Sequence, residues 1–120
     1  EEEGVALLAG AHLGDKRGVL LMQSSGVGNC INMLSLTNIG RFPLLSIVSM
    51  RGDYGEQNPW QFPMGQGTQP CLEAMGTICL RVETPDDVVP TIEAAVNMAY
   101  RSDQSVALLL SQRLIGAKPF

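Results

Sequence analysis

The sequence predicts an α/β fold, a three-layer sandwich in which helices cover both faces of a parallel sheet. Short, nearly continuous apolar runs recur along the 120 residues, as expected for strands that are buried on both faces. Segments with helical start and stop signals separate these runs. Strands that alternate with helices favour right-handed crossovers between parallel strands. The length is that of one domain, so we expect residues 1–120 to form a single unit.

The composition narrows the function classes. Hydrophobic residues make up 45% of the chain and charged residues 17%, which favours a packed core over disorder. A net charge of −4 argues against a duplex nucleic-acid binder, and the apolar runs fall far short of the ~20 residues that span a bilayer. The three cysteines are widely spaced and form no CxxC pair, which favours free thiols. We therefore expect a soluble cytoplasmic protein that binds neither nucleic acid nor membrane.

The first half of the chain predicts two helix–strand pairs. Glu2–Leu13 begins with acidic residues and is followed by Gly14, so a helix is expected there, and its apolar residues predict burial on several sides. Residues 18–23 are a short apolar run between turn signals, which predicts a buried strand. After the SSGVGN turn we expect a helix at about 30–38, and then a second strand at 44–49.

The second half continues the alternation after a long connection. Residues 50–67 are rich in Gly and Pro and are expected to form a long, functional or mobile loop, followed by a short helix at 69–75. Ile78–Val82 predicts the third strand. A hydroxyl residue, a proline and two acids then mark the start of a helix at 84–100. Ser105–Leu110 predicts the last strand, and the remaining C-terminal residues predict no element.

Two polar motifs follow the first two predicted strands. SSGVGN comes after the first and MRGDYGEQN after the second, and the carboxyl ends of parallel strands share one edge, where ligands bind. Gly26 and Gly28 let the backbone approach a ligand, but a tight turn that serves only packing explains them equally well. The fork of Arg51 suits an acidic substrate group, and the alternative is a surface arginine paired with Asp53.

The acidic opening is a third candidate site. Glu1, Glu2 and Glu3 precede a very apolar helix. Either they form a solvated first turn that favours the helix dipole, or one of them enters a partly desolvated interface where its proton affinity rises. His12, the only histidine, is more typical of a packed or capping residue than of a catalyst. The sequence offers no Ser/His/Asp set and no metal-binding constellation.

Three stretches together carry a family resemblance: EEEGVALLAGAHL, LLMQSSGVGN and FPLLSIVSMRGDYGEQNPWQFPMGQ. They resemble the pyrimidine-binding (PYR) domain of thiamine-diphosphate enzymes, in particular the sulfopyruvate and phosphonopyruvate decarboxylase group. The resemblance extends from Glu1 to about Leu110, with the motifs in the family's order and spacing. The family's usual opening strand and helix have no counterpart, so we expect a PYR domain that is incomplete at its N-terminus.

The resemblance implies which residues serve the cofactor. The family's activating glutamate lies ten residues before an aromatic position, here His12, which selects Glu2. An alignment shifted by one residue selects Glu1 or Glu3 instead. The family's turn beside the cofactor and the subunit contact corresponds to Gln23, Ser25, Gly26, Val27, Gly28 and Asn29.

The resemblance also implies a substrate side. The family's loop that faces the substrate entrance corresponds to Arg51 and Gln61. Three positions depart from the family's pattern: Ser24 replaces a usual Asn, His12 a usual Tyr, and Met50 a usual His or Trp. These departures do not affect the implied role in binding the cofactor, but they leave the identity of the 2-oxo acid open.

The implied chemistry is the decarboxylation of a small 2-oxo acid with thiamine diphosphate. Glu2 would hydrogen-bond the N1′ atom of the cofactor's aminopyrimidine and favour its imino form, so that the cofactor can release its own C2 proton. The organic chemistry belongs to the cofactor, and the protein orients it and tunes one proton.

The resemblance finally implies a partner. In the family another domain, the PP domain, holds the diphosphate and Mg²⁺ through a GDG motif, whereas this chain has Gly52, Asp53 and Tyr54. We therefore expect a chain that binds no metal itself and forms half of each active site with a beta-type PP-domain subunit, with further self-association. The apolar first helix is the expected contact surface. The alternative is a non-catalytic α/β assembly or regulatory subunit that has lost cofactor binding.

Overall fold

The computed structural model describes residues 1–119 and contains one sheet of four strands. The strands are β1 (Val19–Gln23), β2 (Leu44–Ser49), β3 (Ile78–Val82) and β4 (Ser105–Leu110). Their order in the sheet is β1-β2-β4-β3, and every neighbouring pair is parallel. The predicted α/β class and the parallel sheet are therefore confirmed.

Six helices and two short 3-10 turns connect the strands. The helices are α1 (Glu2–Leu13), α2 (Ser24–Cys30), α3 (Ser35–Ile39), α4 (Phe62–Ala74), α5 (Val88–Arg101) and α6 (Gln112–Ile115), with 3-10 turns at Pro59–Gln61 and Pro85–Asp87. Within residues 1–119, none of them combines the length and the apolar character that crossing a bilayer requires.

Two buried clusters, one on each face of the sheet, give the three layers. Helices α1, α2 and α4 pack on one face, and their buried apolar side chains meet those of the strands: Val5, Val27, Cys30 and Leu72 with Met22, Val48 and Leu109. On the other face α5 packs through two small residues: Ala95 and Ala99 lie against Leu45, Val106 and Leu108. The small side chains let α5 approach the sheet closely, and the burial of each large apolar side chain stabilises the fold by about 1.5–3 kcal/mol.

The predicted turn at SSGVGN is wrong, because α2 begins directly after β1. The predicted helix at about 30–38 is wrong in its bounds, because α2 ends at Cys30 and α3 begins only at Ser35. Gln23 is still extended and acts as the residue before the helix, and the helix starts at Ser24. Gly26 and Gly28 are tolerated inside a helix because neighbours occupy the space of a side chain. A Cβ atom on Gly26 would lie 2.5 Å from Oε1 of Glu1, and one on Gly28 would lie 3.3 Å from the sulfur of Met64.

The predicted long loop and short helix at 69–75 are wrong in their bounds. The irregular segment ends at Asn58, and after the 3-10 turn α4 runs from Phe62 to Ala74. Pro63 stands in the first turn of α4, where a missing N–H costs nothing, and Pro70 is accommodated inside the helix. Counting Gly and Pro therefore placed the helix start too late.

The first helix is less covered than predicted. Only Val5 and Ala9 of α1 are buried, whereas Leu7 and Leu13 are 72% and 77% exposed. The edge strand β1 also exposes an apolar side chain, Leu21. The expectation of burial on several sides is therefore not met within the chain itself.

Candidate functional site

The carboxyl ends of β1 and β2 bring the two polar motifs together, as predicted. Gln23 and Ser49 are paired in register at the last positions of the two strands. One residue later the hydroxyl of Ser24, which is fully buried, accepts the backbone N–H of Arg51 at 3.0 Å. Because Ser24 begins α2 and Arg51 lies in the loop after β2, this bond joins the two predicted segments.

A polar cluster unites residues predicted for the cofactor with one predicted for the substrate. The side-chain amide of Gln23 donates to the hydroxyl of Ser25 at 2.8 Å and to Oε1 of Gln61 at 3.3 Å. Gln61 lies just before α4, so this contact joins residues 38 positions apart in the chain. The structure thus places Gln23, Ser25 and Gln61 at one point of the edge.

The acidic opening meets α2 through Glu1. The side-chain amide of Asn29 donates to Oε2 of Glu1 at 3.1 Å, and the Glu1 side chain fills the space beside Gly26. Glu1, Glu2 and Glu3 are all exposed. Glu1 is the N-cap of α1, and Glu2 and Glu3 are its first two residues, which point about 100° apart. The structure therefore brings Glu1 to α2, whose residues were predicted to contact the cofactor, and leaves Glu2 facing solvent at the same end of α1.

The middle of α2 supplies backbone rather than side chains. Val27 is fully buried in the core, so its side chain faces away from any ligand. Gly28 lies against Met64, which lines an apolar cavity of about 470 Å³ together with Pro59, Trp60 and Pro63. Trp60 is 84% exposed. The sequence analysis did not predict this apolar cavity, although its lining residues all lie in the apolar segment PWQFPM.

Arg51 forms a bidentate ion pair with Glu56. Its Nε atom lies 2.5 Å from Oε2 of Glu56, and its Nη2 atom lies 2.7 Å from Oε1. The Glu56 side chain has no exposed surface and that of Arg51 is 16% exposed. The alternative of a surface pair with Asp53 is therefore wrong, because Asp53 pairs with Arg81 instead.

The environment of Glu56 favours its charged form. The hydrogen bonds from Arg51 hold the pKa of the Glu56 carboxyl well below its usual range, against the effect of burial. Backbone N–H groups of Gly52, Gln57 and Asn58 and the side-chain amide of Gln112 also donate to this carboxylate, at 3.0–3.2 Å. Sequence reasoning missed Gln112, since no local signal connects it to Glu56.

Other candidate groups lie apart from this edge. His12 is exposed and makes an edge-to-face contact with Phe42 at 5.9 Å between ring centroids. Cys30 is buried, and burial raises the pKa of Cys79 to about 11. Residues 1–119 contain no group of three or more His, Cys, Asp or Glu side chains that could hold a metal ion. The edge of the sheet at the carboxyl ends of β1 and β2 therefore combines carboxylates, side-chain amides, an apolar cavity and an arginine that is paired with Glu56.

Known proteins resemble the chain over most of its length. No protein-family model matches it. It is 40% identical over 111 residues to the sulfopyruvate decarboxylase subunit alpha of Methanococcus maripaludis, covering 92% of this chain and 66% of that protein. The alpha subunit of Methanothermobacter thermautotrophicus is 37% identical, with 92% and 67% covered. Phosphonopyruvate decarboxylase of Streptomyces viridochromogenes is 32% identical, with 99% and 31% covered. The chain thus spans about two thirds of the length of these alpha subunits.

Proposed function

Because the chain belongs to the family of sulfopyruvate decarboxylase alpha subunits, we propose that it is the PYR-type subunit of a thiamine-diphosphate-dependent 2-oxo acid decarboxylase. The observation that carries the proposal is the common edge, where the acidic start of α1, the glycine-bearing α2 and the Arg51 loop meet. The substrate we propose is a small 2-oxo acid with a second anionic group, either sulfopyruvate or phosphonopyruvate. When bound, thiamine diphosphate supplies the electron sink that decarboxylation needs.

We propose Glu2 as the group that holds the proton at N1′ of the aminopyrimidine. Its carboxylate is exposed at the rim of α1, so a cofactor bound between two subunits can reach it. Glu1 is exposed as well, but its carboxylate already accepts a hydrogen bond from Asn29 and its side chain lies against Gly26, which makes it the weaker candidate. Enclosure at a subunit interface would strengthen the bond between Glu2 and N1′ because it removes competing water.

The surroundings of this carboxylate suit an aminopyrimidine ring. Gln23 and Asn29 offer amide donors and acceptors, Ser25 offers a hydroxyl, and the backbone of α2 at Gly28 lies in contact with Met64. The apolar cavity lined by Met64 and Trp60 offers the kind of surface on which a flat heterocycle packs.

Arg51 is proposed to hold the anionic group of the substrate, with Gln61 beside it. Glu56 occupies two of the five N–H bonds of the guanidinium, so the others remain to meet a sulfonate or phosphonate. Pairing with Glu56 fixes the plane of the Arg51 guanidinium group. The remaining N–H groups therefore point in fixed directions toward the anionic group of the substrate.

The partner is proposed to be a beta-type subunit whose PP domain holds the diphosphate and Mg²⁺. The relatives' name, alpha subunit, implies a second subunit. The exposed face of α1, made of Ala6, Leu7, Gly10 and Leu13, is one apolar side of the helix and adjoins the proposed active site. Asp53, the acid of Gly52-Asp53-Tyr54, is bound by Arg81 and Ser111, so its carboxylate is already occupied within this chain.

Reconstitution tests this function. The chain is co-expressed with a GDG-containing partner from the same genome, and carbon dioxide release from sulfopyruvate is measured with thiamine diphosphate and Mg²⁺. We expect release from the complex and none from either chain alone. A complex that assembles and binds the cofactor, yet releases no carbon dioxide from sulfopyruvate, phosphonopyruvate or pyruvate, would support the non-catalytic assembly subunit instead.

A further inference from the structure

The loop after β2 is held by a residue from the far end of the chain. Gln112, the first residue of α6, is 2% exposed and lies 56 positions from Glu56. Its side-chain carbonyl accepts the backbone N–H groups of Asp53 at 2.9 Å and Tyr54 at 3.0 Å. Its side-chain NH₂ group donates to Oε2 of Glu56 at 3.0 Å. Both ends of one buried amide therefore bind the same loop.

A second contact fastens the loop to the same helix start. Oδ2 of Asp53 accepts the hydroxyl of Ser111 at 2.9 Å and the backbone N–H of Gln112 at 3.3 Å. The guanidinium of Arg81 on β3 binds both carboxylate oxygens of Asp53 at 2.9 Å. The loop backbone is thus anchored at Asp53. The contact between this helix start and the carboxylate of Glu56 is made by Gln112.

Each oxygen of Glu56 has a full set of donors. Oε1 accepts from Nη2 of Arg51 and from the backbone N–H groups of Gln57 and Asn58. Oε2 accepts from Nε of Arg51, the backbone N–H of Gly52 and the amide of Gln112. Gln112 is the one donor in this set that comes from outside the loop. It therefore ties the direction of the carboxylate, and of the arginine fork bound to it, to the body of the domain.

We propose that Gln112 is a positioning residue that fixes the Arg51 fork through Glu56 and so sets the preference for a 2-oxo acid with a second anionic group. The inference rests on the proposed function and deepens it. Without the Gln112 amide, Oε2 of Glu56 and the N–H groups of Asp53 and Tyr54 lose buried partners, and the loop must rearrange to satisfy them. A rearranged carboxylate turns the fork away from the substrate's anionic group.

The test is Gln112→Met in the complex of the chain with its partner subunit. Methionine keeps the length of the side chain and removes its hydrogen bonds. We expect KM for sulfopyruvate to rise about 10- to 100-fold, the range for a lost charged hydrogen bond, with KM for pyruvate and kcat for both changed less than about threefold. Gln104→Met is the matched control, because Gln104 is exposed at the other end of β4.

A second variant protects the test against misfolding. Gln112→Asn keeps the amide but is one methylene shorter, so it cannot reach both the loop N–H groups and Glu56. It should raise KM for sulfopyruvate by a factor between those of wild type and Gln112→Met, and it should speed hydrogen exchange at the backbone amides of Asp53 and Tyr54. Equal changes in both KM values, or a sulfopyruvate KM within about threefold of wild type in both variants, would overturn the inference.

A binding measurement separates this inference from the proposed function. Sulfoacetate carries a sulfonate and no keto group, so calorimetric titration of the complex needs no turnover. If the wild-type complex is inactive, the proposed function fails, and weaker sulfoacetate binding in Gln112→Met would still support the positioning role. No sulfoacetate binding to the wild-type complex, or binding unchanged by Gln112→Met, would overturn it.

Discussion

Two glycines of α4 show how single residues set the shape of the candidate site. A Cβ atom on Gly65 would collide with the backbone of Arg51 and Gly52, whereas one on Gly67 would meet nothing within 4 Å. Gly52 itself has φ +66°, and a Cβ there would collide with the backbone of Gln61. The missing side chains of Gly52 and Gly65 therefore let α4 and the Arg51 loop touch backbone to backbone.

Matched alanine substitutions test this close approach. Gly65→Ala should destabilise the chain by about 1–3 kcal/mol, because rigid backbone cannot move aside. Gly67→Ala should stabilise it by about 0.5–1 kcal/mol, because alanine is the better helix former and has room. Urea unfolding of both variants measures the difference. Similar free energies of unfolding for the two variants would show that Gly65 does not mark a packing constraint.

Arg51→Lys tests the fork rather than the charge. Lysine keeps the positive charge but cannot bind Glu56 and a sulfonate through one rigid plane. KM for sulfopyruvate should rise about tenfold or more, as for a lost charged hydrogen bond, while KM for pyruvate stays within about threefold. Arg101→Lys, at the exposed end of α5, is the control. Equal effects on both substrates would remove Arg51 from the anion contact.

At the scale of elements, the loop from Met50 to Asn58 is organised by a buried charge. The sequence predicts a functional or mobile connection there, yet Glu56 alone binds three backbone N–H groups of the loop. Its depressed pKa means that folding favours the ionised form. The stabilisation from Glu56 is therefore fully present above the ordinary carboxyl pKa of 4.5 and is lost as the pH falls toward the folded-state value.

The lowered pKa of Glu56 in the folded state predicts how stability depends on pH. Wild type should be more stable than Glu56→Gln at pH 7, and the difference should shrink steadily as the pH is lowered below about 4.5. Urea unfolding at a series of pH values measures it. Glu93→Gln, at an exposed site on α5, is the matched control for the loss of a surface carboxylate. A Glu56→Gln difference that stays constant into acid would mean that this carboxyl is not ionised preferentially by folding.

The strands could be predicted from the sequence, whereas α2 and α6 were missed and the predicted starts of α3 and α4 were wrong. Apolar runs predicted β2, β3 and β4 at their observed bounds and β1 to within one residue, because a short apolar run between turn signals is a local pattern. The starts of α2 and α4 were missed because Gly26, Gly28 and Gly65 suggest turns locally, while their reasons are tertiary contacts. The Gln112–Glu56 contact has no local signal at all, since it joins distant segments.

At the scale of the whole molecule, the chain leaves apolar surface uncovered beside its candidate site. Leu7 and Leu13 on α1 are largely exposed, and so is Leu21 on the edge strand β1. A parallel sheet is normally covered on both faces, and exposed apolar patches mark contact surfaces. Leu7 lies on the same helix as Glu2 and Glu3, about one turn further along, so a partner that covers Leu7 would come close to these carboxylates.

Leu7→Ser tests the exposed face of α1 as the partner contact. Loss of one buried leucine should weaken assembly with the beta-type subunit about 10-fold or more, because its burial contributes about 1.5–3 kcal/mol. The monomer's unfolding free energy should change little, since Leu7 is exposed in the isolated chain. Sedimentation of the two chains measures assembly. Val89→Ser on α5 is the control, and equal weakening by both variants would count against α1 as the specific contact.

The most direct measurement is deuterium exchange at C2 of thiamine diphosphate bound in the complex. It reports the release of the C2 proton, which Glu2 is proposed to promote through its bond to N1′, and it requires neither a substrate nor turnover. Exchange should slow about 100-fold or more in Glu2→Gln, in the range for loss of a positioned acid–base group, and should stay near the wild-type rate in Glu3→Gln. An unchanged rate in Glu2→Gln, with the cofactor still bound, would contradict the claim that this chain activates it through that carboxylate.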